Sequence, residues 1–542
     1  MRKVNRAEQI QSVGTIMTAY FKSAASLFLA SVTLGIPGTS TAQEIIGSGI
    51  VPGDRANSES RKIQFSSELP SAAAVIVFVD GTDLPQSLGV SRENRDKMAK
   101  AIENAKFSGK QGESLDFYSV GGIERIRLVG MAADETSGLQ WREAAGEAVQ
   151  SLGKTKGAIA FVGMPDTQAM ADVALGSALG QYRFDRYKSD RKDEDAGSVI
   201  VVGAGSADAR RLWQSRHKHL AEAVSFARDL VNEPANVIYP ESFIAQARAR
   251  MEGLDGVSIE VLDQADMRRL GMGAIAGVGQ GSPRGARLMV ITYRGAGGPP
   301  IALAGKGITF DSGGISIKSN SGMWEMKGDM SGAAAVTGAL LSLAKSRAPV
   351  HVVAAVALAE NMPGANAQRP GDVVRTLSGK TIEIRSTDAE GRLVLSDAIE
   401  YTVAKKKPFA LIDIATLTGS VVGALGPEYA GVFARNDSDA EKAIAAGSTT
   451  GEQLWRLPMH KAYREAVKSE IADVKNSDTS PAPGASAGAH FIEYFVPEDL
   501  PWVHIDMAAV DRANSQLPLV PAGARGFGVM LLDQLARNWR PQ

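Results

Sequence analysis

The sequence predicts an α/β protein of two domains, a smaller N-terminal one and a larger C-terminal one. Short apolar runs alternate with helical patterns along most of the chain. The 542 residues are 44% hydrophobic and 22% charged, enough for one large core or two medium ones. A long helical stretch from residue 206 ends in Asn-Glu-Pro and Tyr-Pro punctuation and divides the pattern in two. These marks give expected boundaries of 43–205 for the first domain, 206–235 for a connector helix and 236–542 for the second.

The first 42 residues read as a secretory signal. Lys22 precedes a mostly apolar run over 24–36 and a Pro-Gly break, and Ser40 and Ala42 supply small residues at −3 and −1 before Gln43. Translation would start at Met1 or Met17. The expected location is periplasmic or secreted, and cytoplasmic if this segment is not a working signal. The chain has no cysteine, which excludes disulfides, thiolate metal sites and a cysteine nucleophile, and suits an oxidising compartment. The apolar run is short for a membrane span, and no later stretch is long enough. The formal net charge of −1 offers no basic footprint, so no nucleic-acid partner is expected.

Within the first domain the alternation begins at about Ala72. AAAVIVFVDG reads as a strand and turn, NRDKMAKAIENAKF as a helix, IERIRLVGM as a strand and WREAAGEAVQSLGKT as a helix. AIAFVGM is a strand, TQAMADVALGSALGQYRF a helix, and SVIVVGAG closes the series. The charged stretch 185–197 reads as a solvated loop or hairpin. His217 and His219 could form a metal pair, but on a charged connector helix they read as solvated.

In the second domain the strand candidates are RLMVITYRG, IALAGKG, VHVVAAVALA, TIEIRS and FALIDIATL. The helix MSGAAAVTGALLSLAKS follows Asp329, a good N-cap residue, and LVLSDAIEYTVAK follows Arg392. Ligands of α/β sheets gather beyond the carboxyl ends of the strands, so charged residues there come first.

Lys306, Asp311, Lys318 and Asp329 follow one such strand, and Asp388, Glu390 and Arg392 follow another. Four carboxylates at one sheet edge repel one another unless cations sit among them. Divalent metals would supply that charge, and oxygen-rich ligands without histidine favour Mn²⁺, Mg²⁺ or Zn²⁺. Each residue has a plainer reading: Asp329 as an N-cap, Lys318 as a loop lysine, Asp388 and Glu390 as partners of the helix dipole. Arg392 opposes that dipole and makes more sense facing an anion or an acidic cluster. Spacing alone leaves a metal site and an ion-pair network equally open.

The segments GKGITFDSGGISIK, MKGDMSGAAAV, TDAEGRL and ATLTG resemble the leucyl aminopeptidase family of two-metal exopeptidases. YRFDRYKS, ARDLVNEPANVIYP, GVGQGS, GAHFIEYF and GARGFGV continue the resemblance in the family's order, across the whole second domain and more loosely the first. The resemblance implies a larger catalytic domain with a central mixed sheet. It implies that Lys306, Asp311, Asp329 and Glu390 ligate a tighter metal, and that Asp311, Asp388 and Glu390 ligate a more exchangeable one, each Mn²⁺ or Zn²⁺. Lys306 would then bind as a neutral amine with a depressed pKa. It implies Lys318 and Arg392 as the catalytic cations, with bicarbonate held at Arg392, and attack by a metal-bound hydroxide. Met326, Thr416, Leu417 and Gly419 match positions around the first substrate residue, and an apolar lining suits Leu or Met. Peptides with a free N-terminus would be the substrates and a homohexamer the assembly. Ser386 departs from the family's Asn and could alter loop geometry or metal affinity.

Two rival functions remain at this point. GASAG, residues 484–488, fits the G-x-S-x-G pattern of serine hydrolases, with Ser486 as nucleophile and His490, His504 and Asp506 nearby. That pattern needs a strand before it, and NSDTSPAP reads as loop, so a glycine-rich substrate-side or interface loop is expected. A non-catalytic binding protein on the same scaffold is the other rival, and the presence of all seven matched site residues argues against it. GVGQGS, residues 277–282, has dinucleotide-loop spacing, but a strand pattern follows it rather than precedes it.

Overall fold

The computed structural model describes residues 50, 55–131, 137–191, 196–477 and 484–541. The signal pattern expected over residues 1–42 lies outside the described residues.

Six strands form the first sheet: β1 (Lys62–Ser66), β2 (Ala74–Val79), β3 (Ser114–Val120), β4 (Ile123–Gly130), β5 (Ile159–Val162) and β6 (Ser198–Val202). Their order is β1-β6-β5-β2-β4-β3, with every neighbour parallel except β3 against β4. β2 and β5 are buried along their whole length, which is why they read as unbroken apolar runs. β1 and β3 were not expected from the sequence. β1 fully buries only Phe65, and the edge strand β3 fully buries nothing, so neither carries a strong pattern. Ser91, Ser137 and Asp166 each accept a backbone N–H at the start of the helices Arg92–Ala105, Gly138–Ser151 and Thr167–Gly180.

The helix between the two sheets runs over Ser206–Leu212, a wider π turn at Trp213–His217, and Lys218–Asn232. Its His217 is buried rather than solvated, and burial lowers its pKa to about 4. The described part of the charged stretch 185–197 is also not simply solvated. Arg186 reaches Asp229 at 3.1 Å and Glu233 at 2.5 Å, and Asp185 accepts from the Ser58 N–H at 2.9 Å. The stretch therefore docks onto the last turn of the interdomain helix.

The second half contributes β7 (Val257–Leu262), β8 (Arg287–Arg294), β9 (Ile301–Asp311), β10 (His351–Asn361), β11 (Val373–Arg375), β12 (Thr381–Glu383), β13 (Ala410–Ala415), β14 (Ala430–Ala434), β15 (Leu454–Arg456), β16 (Val474–Lys475) and β17 (Trp502–Asp506). Eight of them make a mixed sheet in the order β15-β14-β17-β13-β9-β10-β8-β7. The run β17-β13-β9-β10 is parallel throughout, so four carboxyl ends meet at one edge. One face packs on the helices Lys218–Asn232, Ser331–Lys345 and Val529–Asn538. The other packs on Gly273–Gly279, Gly391–Lys406 and Gly484–Glu493. A small sheet, β11-β12-β16, sets β12 parallel to β16 beside that edge.

All five strand candidates of this half are present, and β9 is longer than expected. Lys306 lies inside it and Asp311 is its last residue. Asp329 does not cap the following helix: the cap position is Met330, and the Asp329 carboxylate is engaged elsewhere.

Candidate functional site

β9 delivers two of the singled-out residues by its own geometry. Lys306 is buried in the strand, and its Nζ sits 2.8 Å from Asp329 Oδ1, 2.9 Å from Glu390 Oε1 and 2.8 Å from the Thr416 carbonyl. Gly391 makes room for it, since a Cβ there would stand 2.6 Å from Lys306 Cδ. Lys318, on the loop after β9, places Nζ 2.8 Å from Asp311 Oδ2 and 2.6 Å from Asp388 Oδ1. Asp311, Asp329 and Glu390 each present an oxygen within 4.8 Å of the others. The structure thus gathers Lys306, Asp311, Lys318, Asp329, Asp388 and Glu390 into one cluster. Asp388 is the exposed member.

The electrostatics follow from burial and crowding. Burial, with Glu390 alongside, raises Asp311 to about 6. Burial pushes Asp329 well above the usual carboxylate value, and Asp388 is raised for the same reason. Burial works against the Lys306 and Lys318 ammonium groups too, but the surrounding carboxylates outweigh it and hold both pKa values above normal. Glu390 stays below its usual value, because Lys306 and Lys318 overcome its burial. The neutral Lys306 that the family resemblance implies is therefore not favoured by these protein groups alone.

This geometry bears on the choice between a metal site and an ion-pair network. Four carboxylates share two ammonium groups, leaving negative charge in a buried place. Asp329 Oδ2 and Glu390 Oε2 are buried without a hydrogen-bond partner among the described residues. Buried carboxylate oxygens are costly when left unpaired, and two of them in one cluster favour a bound cation over a closed ion-pair network. The donor set fits divalent cations.

Residues 225–533 match the cytosol aminopeptidase family, catalytic domain, and residues 74–191 match the cytosol aminopeptidase family, N-terminal domain. The chain belongs to the cytosol aminopeptidase family.

Its relatives include a "Probable cytosol aminopeptidase" of Caulobacter vibrioides, 43% identical over 480 residues, covering 86% of this chain and 96% of that one. Another, from Rhizobium etli, is 44% identical over 454 residues, covering 81% and 90%. Among solved structures, a tomato leucine aminopeptidase mutant is 30% identical with a TM-score of 0.78, covering 90% of this chain and 98% of that one. The bottromycin maturation enzyme BotP in complex with Mn is 32% identical with a TM-score of 0.76, covering 86% and 99%. This chain is accordingly a metal-dependent aminopeptidase, a hydrolase.

In this aminopeptidase Arg392 lies in the first turn of the helix Gly391–Lys406, buried. Nη1 donates to the Asn476 carbonyl at 2.7 Å, and Nε has no partner among the described residues. Burial lowers its pKa to about 10, with Glu390 and Asp506 acting the other way. Met326 is half-buried on the short helix Met323–Gly328 that ends at Asp329. Leu417 is half-buried on the loop after β13, and Gly419 is exposed at the start of the helix Gly419–Leu425. Thr416 does more than line a pocket, because its hydroxyl donates to Asp329 Oδ1 at 2.7 Å.

The serine-hydrolase alternative has no geometry to support it. Residues 484–493 are a helix, not the loop expected. Ser486 Oγ donates to the Pro458 carbonyl. His490 pairs with Glu493 and His504 with Asp413, so neither serves Ser486. The glycine that completes the pattern has a different use: a Cβ on Gly488 would stand 3.1 Å from Leu417 Cδ2 and 3.2 Å from Arg392 Nη2. GVGQGS begins at the end of the helix Gly273–Gly279, and β8 follows it.

Several supporting residues were missed. Asn361, the last residue of β10, lies in register with Asp311 and donates to its Oδ1 at 2.8 Å. The strand-end rule would have reached it. Asp506, at the end of β17, accepts from the Leu417 N–H at 3.0 Å and from the Thr418 hydroxyl at 2.6 Å. Asn476 follows a two-residue strand, and no periodicity marks it.

Proposed function

We propose that this aminopeptidase holds two divalent cations, Mn²⁺ or Zn²⁺, and releases Leu-like residues from peptides with a free N-terminus. The pair of buried, unpartnered oxygens on Asp329 and Glu390 carries the reading. Lys306, Asp311, Asp329 and Glu390 would hold one cation, and Asp311, Asp388 and Glu390 the other. Bound there, the cations supply the missing positive charge and Lewis acidity, and activate water near neutral pH.

The chain's own groups take the remaining roles. Asp329 would meet the substrate α-amine. Lys318, on the more open side of the cluster, would turn to the scissile carbonyl and stabilise the developing oxyanion. Arg392 would hold bicarbonate as proton acceptor, and its unpartnered Nε is a free donor for such an anion. Met326, Leu417 and Gly419, with Thr416 at the base, would surround the first side chain. A homohexamer is the proposed assembly. Ile315, Ile317 and Trp324 are exposed beside the cluster, apolar surface that association would cover. Export as a protein beginning at Gln43 is proposed from the signal pattern. No helix among the described residues is long and apolar enough to cross a membrane.

The deciding experiment is hydrolysis of a leucine chromogenic amide by protein beginning at Gln43. It is run as purified, after chelation, after Mn²⁺ or Zn²⁺ is restored, and beside an N-acetylated amide. Activity that disappears on chelation, returns with metal and spares the blocked amide is expected. Activity that survives exhaustive chelation would remove the metal reading.

A further inference from the structure

We propose that Asn476 is a positioning residue that holds the loop 385–390 and the Arg392 guanidinium in one frame. The inference rests on the reading that Asp388 and Glu390 bind metal.

The argument begins with the small sheet. β12 and β16 run parallel, so their carboxyl ends emerge side by side. β12 leads into the segment that carries Asp388 and Glu390, and β16 leads directly into Asn476. The Asn476 N–H extends the pairing by donating to the Glu383 carbonyl at 3.1 Å. Its side chain then turns into the loop and is fully buried there. Oδ1 accepts from the Arg385 N–H at 2.8 Å and the Ser386 N–H at 3.3 Å. Nδ2 donates to the Ser386 carbonyl at 2.6 Å and the Ala389 carbonyl at 3.2 Å.

Both donors and both acceptor positions of the amide are therefore used. Only this orientation satisfies them, since a flipped amide would set NH₂ against two N–H groups. The four bonds bracket Asp388, fixing the chain on both sides of it and next to Glu390. Asn476 then makes a further contact of a different kind: its own carbonyl accepts from Arg392 Nη1 at 2.7 Å. One residue, more than eighty positions away in sequence, thereby sets the carboxylate loop and the buried cation relative to each other. It has no capacity left for substrate, which makes its role positioning rather than catalytic.

The test uses Asn476→Ala, which removes all four side-chain bonds, and Asn476→Asp, which keeps the shape but loses both N–H donors. Mn²⁺ binding to chelator-stripped protein is measured by calorimetry, kcat and KM at saturating Mn²⁺, and folding by circular dichroism and thermal melting. We expect both variants to fold. Mn²⁺ affinity should fall by about 10- to 100-fold, as for other losses of groups behind metal ligands. kcat should stay low even at saturating Mn²⁺, because the Asn476 carbonyl still holds Arg392 while the loop 385–390 is no longer fixed relative to it. If Asn476→Ala does not fold, Asn476→Asp decides alone.

A lower melting temperature with wild-type Mn²⁺ affinity would overturn the proposal, since the residue would then be merely structural. Full recovery of kcat at saturating Mn²⁺ would overturn the link to Arg392. Failure of the unsubstituted protein to bind Mn²⁺ would overturn the metal reading beneath it, and that result is seen before any variant is compared.

Discussion

The Thr416 hydroxyl donates a 2.7 Å hydrogen bond to Asp329 Oδ1, the same oxygen that faces Lys306. This occupies one oxygen of Asp329 and leaves Oδ2 free and buried. Thr416→Val keeps the shape and loses the donor. We expect Mn²⁺ affinity to fall by roughly 10-fold, the low end for lost support behind a ligand. Thr416→Ser should restore it. A calorimetric titration in which Thr416→Val binds Mn²⁺ like the unsubstituted protein would remove this role.

Gly391 opens the helix that follows Asp388 and Glu390, where alanine would ordinarily add stability, at most about 1 kcal/mol. Here the added methyl would meet Lys306 Cδ at 2.6 Å and Cε at 2.7 Å. Lys306 is held by three partners and cannot swing away without leaving them. Gly391→Ala should therefore fold but lose at least about 10-fold in kcat/KM, as misplaced ligands do. Unchanged kcat/KM would show that Lys306 has slack the packing does not suggest.

Ser386 stands where the family resemblance expects Asn. Its Oγ accepts from the Asp388 N–H at 3.2 Å, closing a turn of the kind an Asn side-chain oxygen also closes. The hydroxyl thus does the local work of the missing amide. Ser386→Asn should leave Mn²⁺ affinity and kcat/KM within about twofold, since both side chains make the same turn. A rise of tenfold or more would mean that serine impairs the site.

His217 gives a pH dependence of stability with a defined sign. Its pKa is lowered from 6.5 to about 4 by burial, with Arg216 and Arg142 adding to the effect. Between those values the unfolded chain takes up a proton that the folded chain refuses. The stability it contributes is complete above pH 6.5 and is lost as pH falls to about 4, up to about 3 kcal/mol. Melting temperature should therefore fall on acidification across that window, and less steeply for His217→Leu. Parallel curves for the two proteins would exclude His217 as the source.

The chemistry-bearing residues were legible in the sequence because each is placed by its own neighbours in the chain. Lys306 and Asp311 belong to one strand, and Asp388, Glu390 and Arg392 to the loop and helix after another. The residues that hold them in place were not. Asn361 meets Asp311 only because β10 lies beside β9 in that register. Gly391 matters only because Lys306 crosses beneath it. GASAG was rightly set aside as a nucleophile motif but is a helix rather than a loop, and Gly488 in it clears space beside Arg392, a neighbour that no local spacing records.

The sequence by itself determined the α/β class, the two sheets in outline, the family and the set of charged side chains, because periodicity and motif are local properties of a chain. Its spacing alone left a metal site and an ion-pair network equally open, and only the family resemblance favoured metal. Tertiary structure decided between them, because the decision turned on burial and unmet hydrogen bonds. Whether Asp329 Oδ2 and Glu390 Oε2 find a partner depends on what β9, β12 and β13 bring from distant parts of the chain. An oxygen's solvation is set by everything around it, and only the folded chain specifies that.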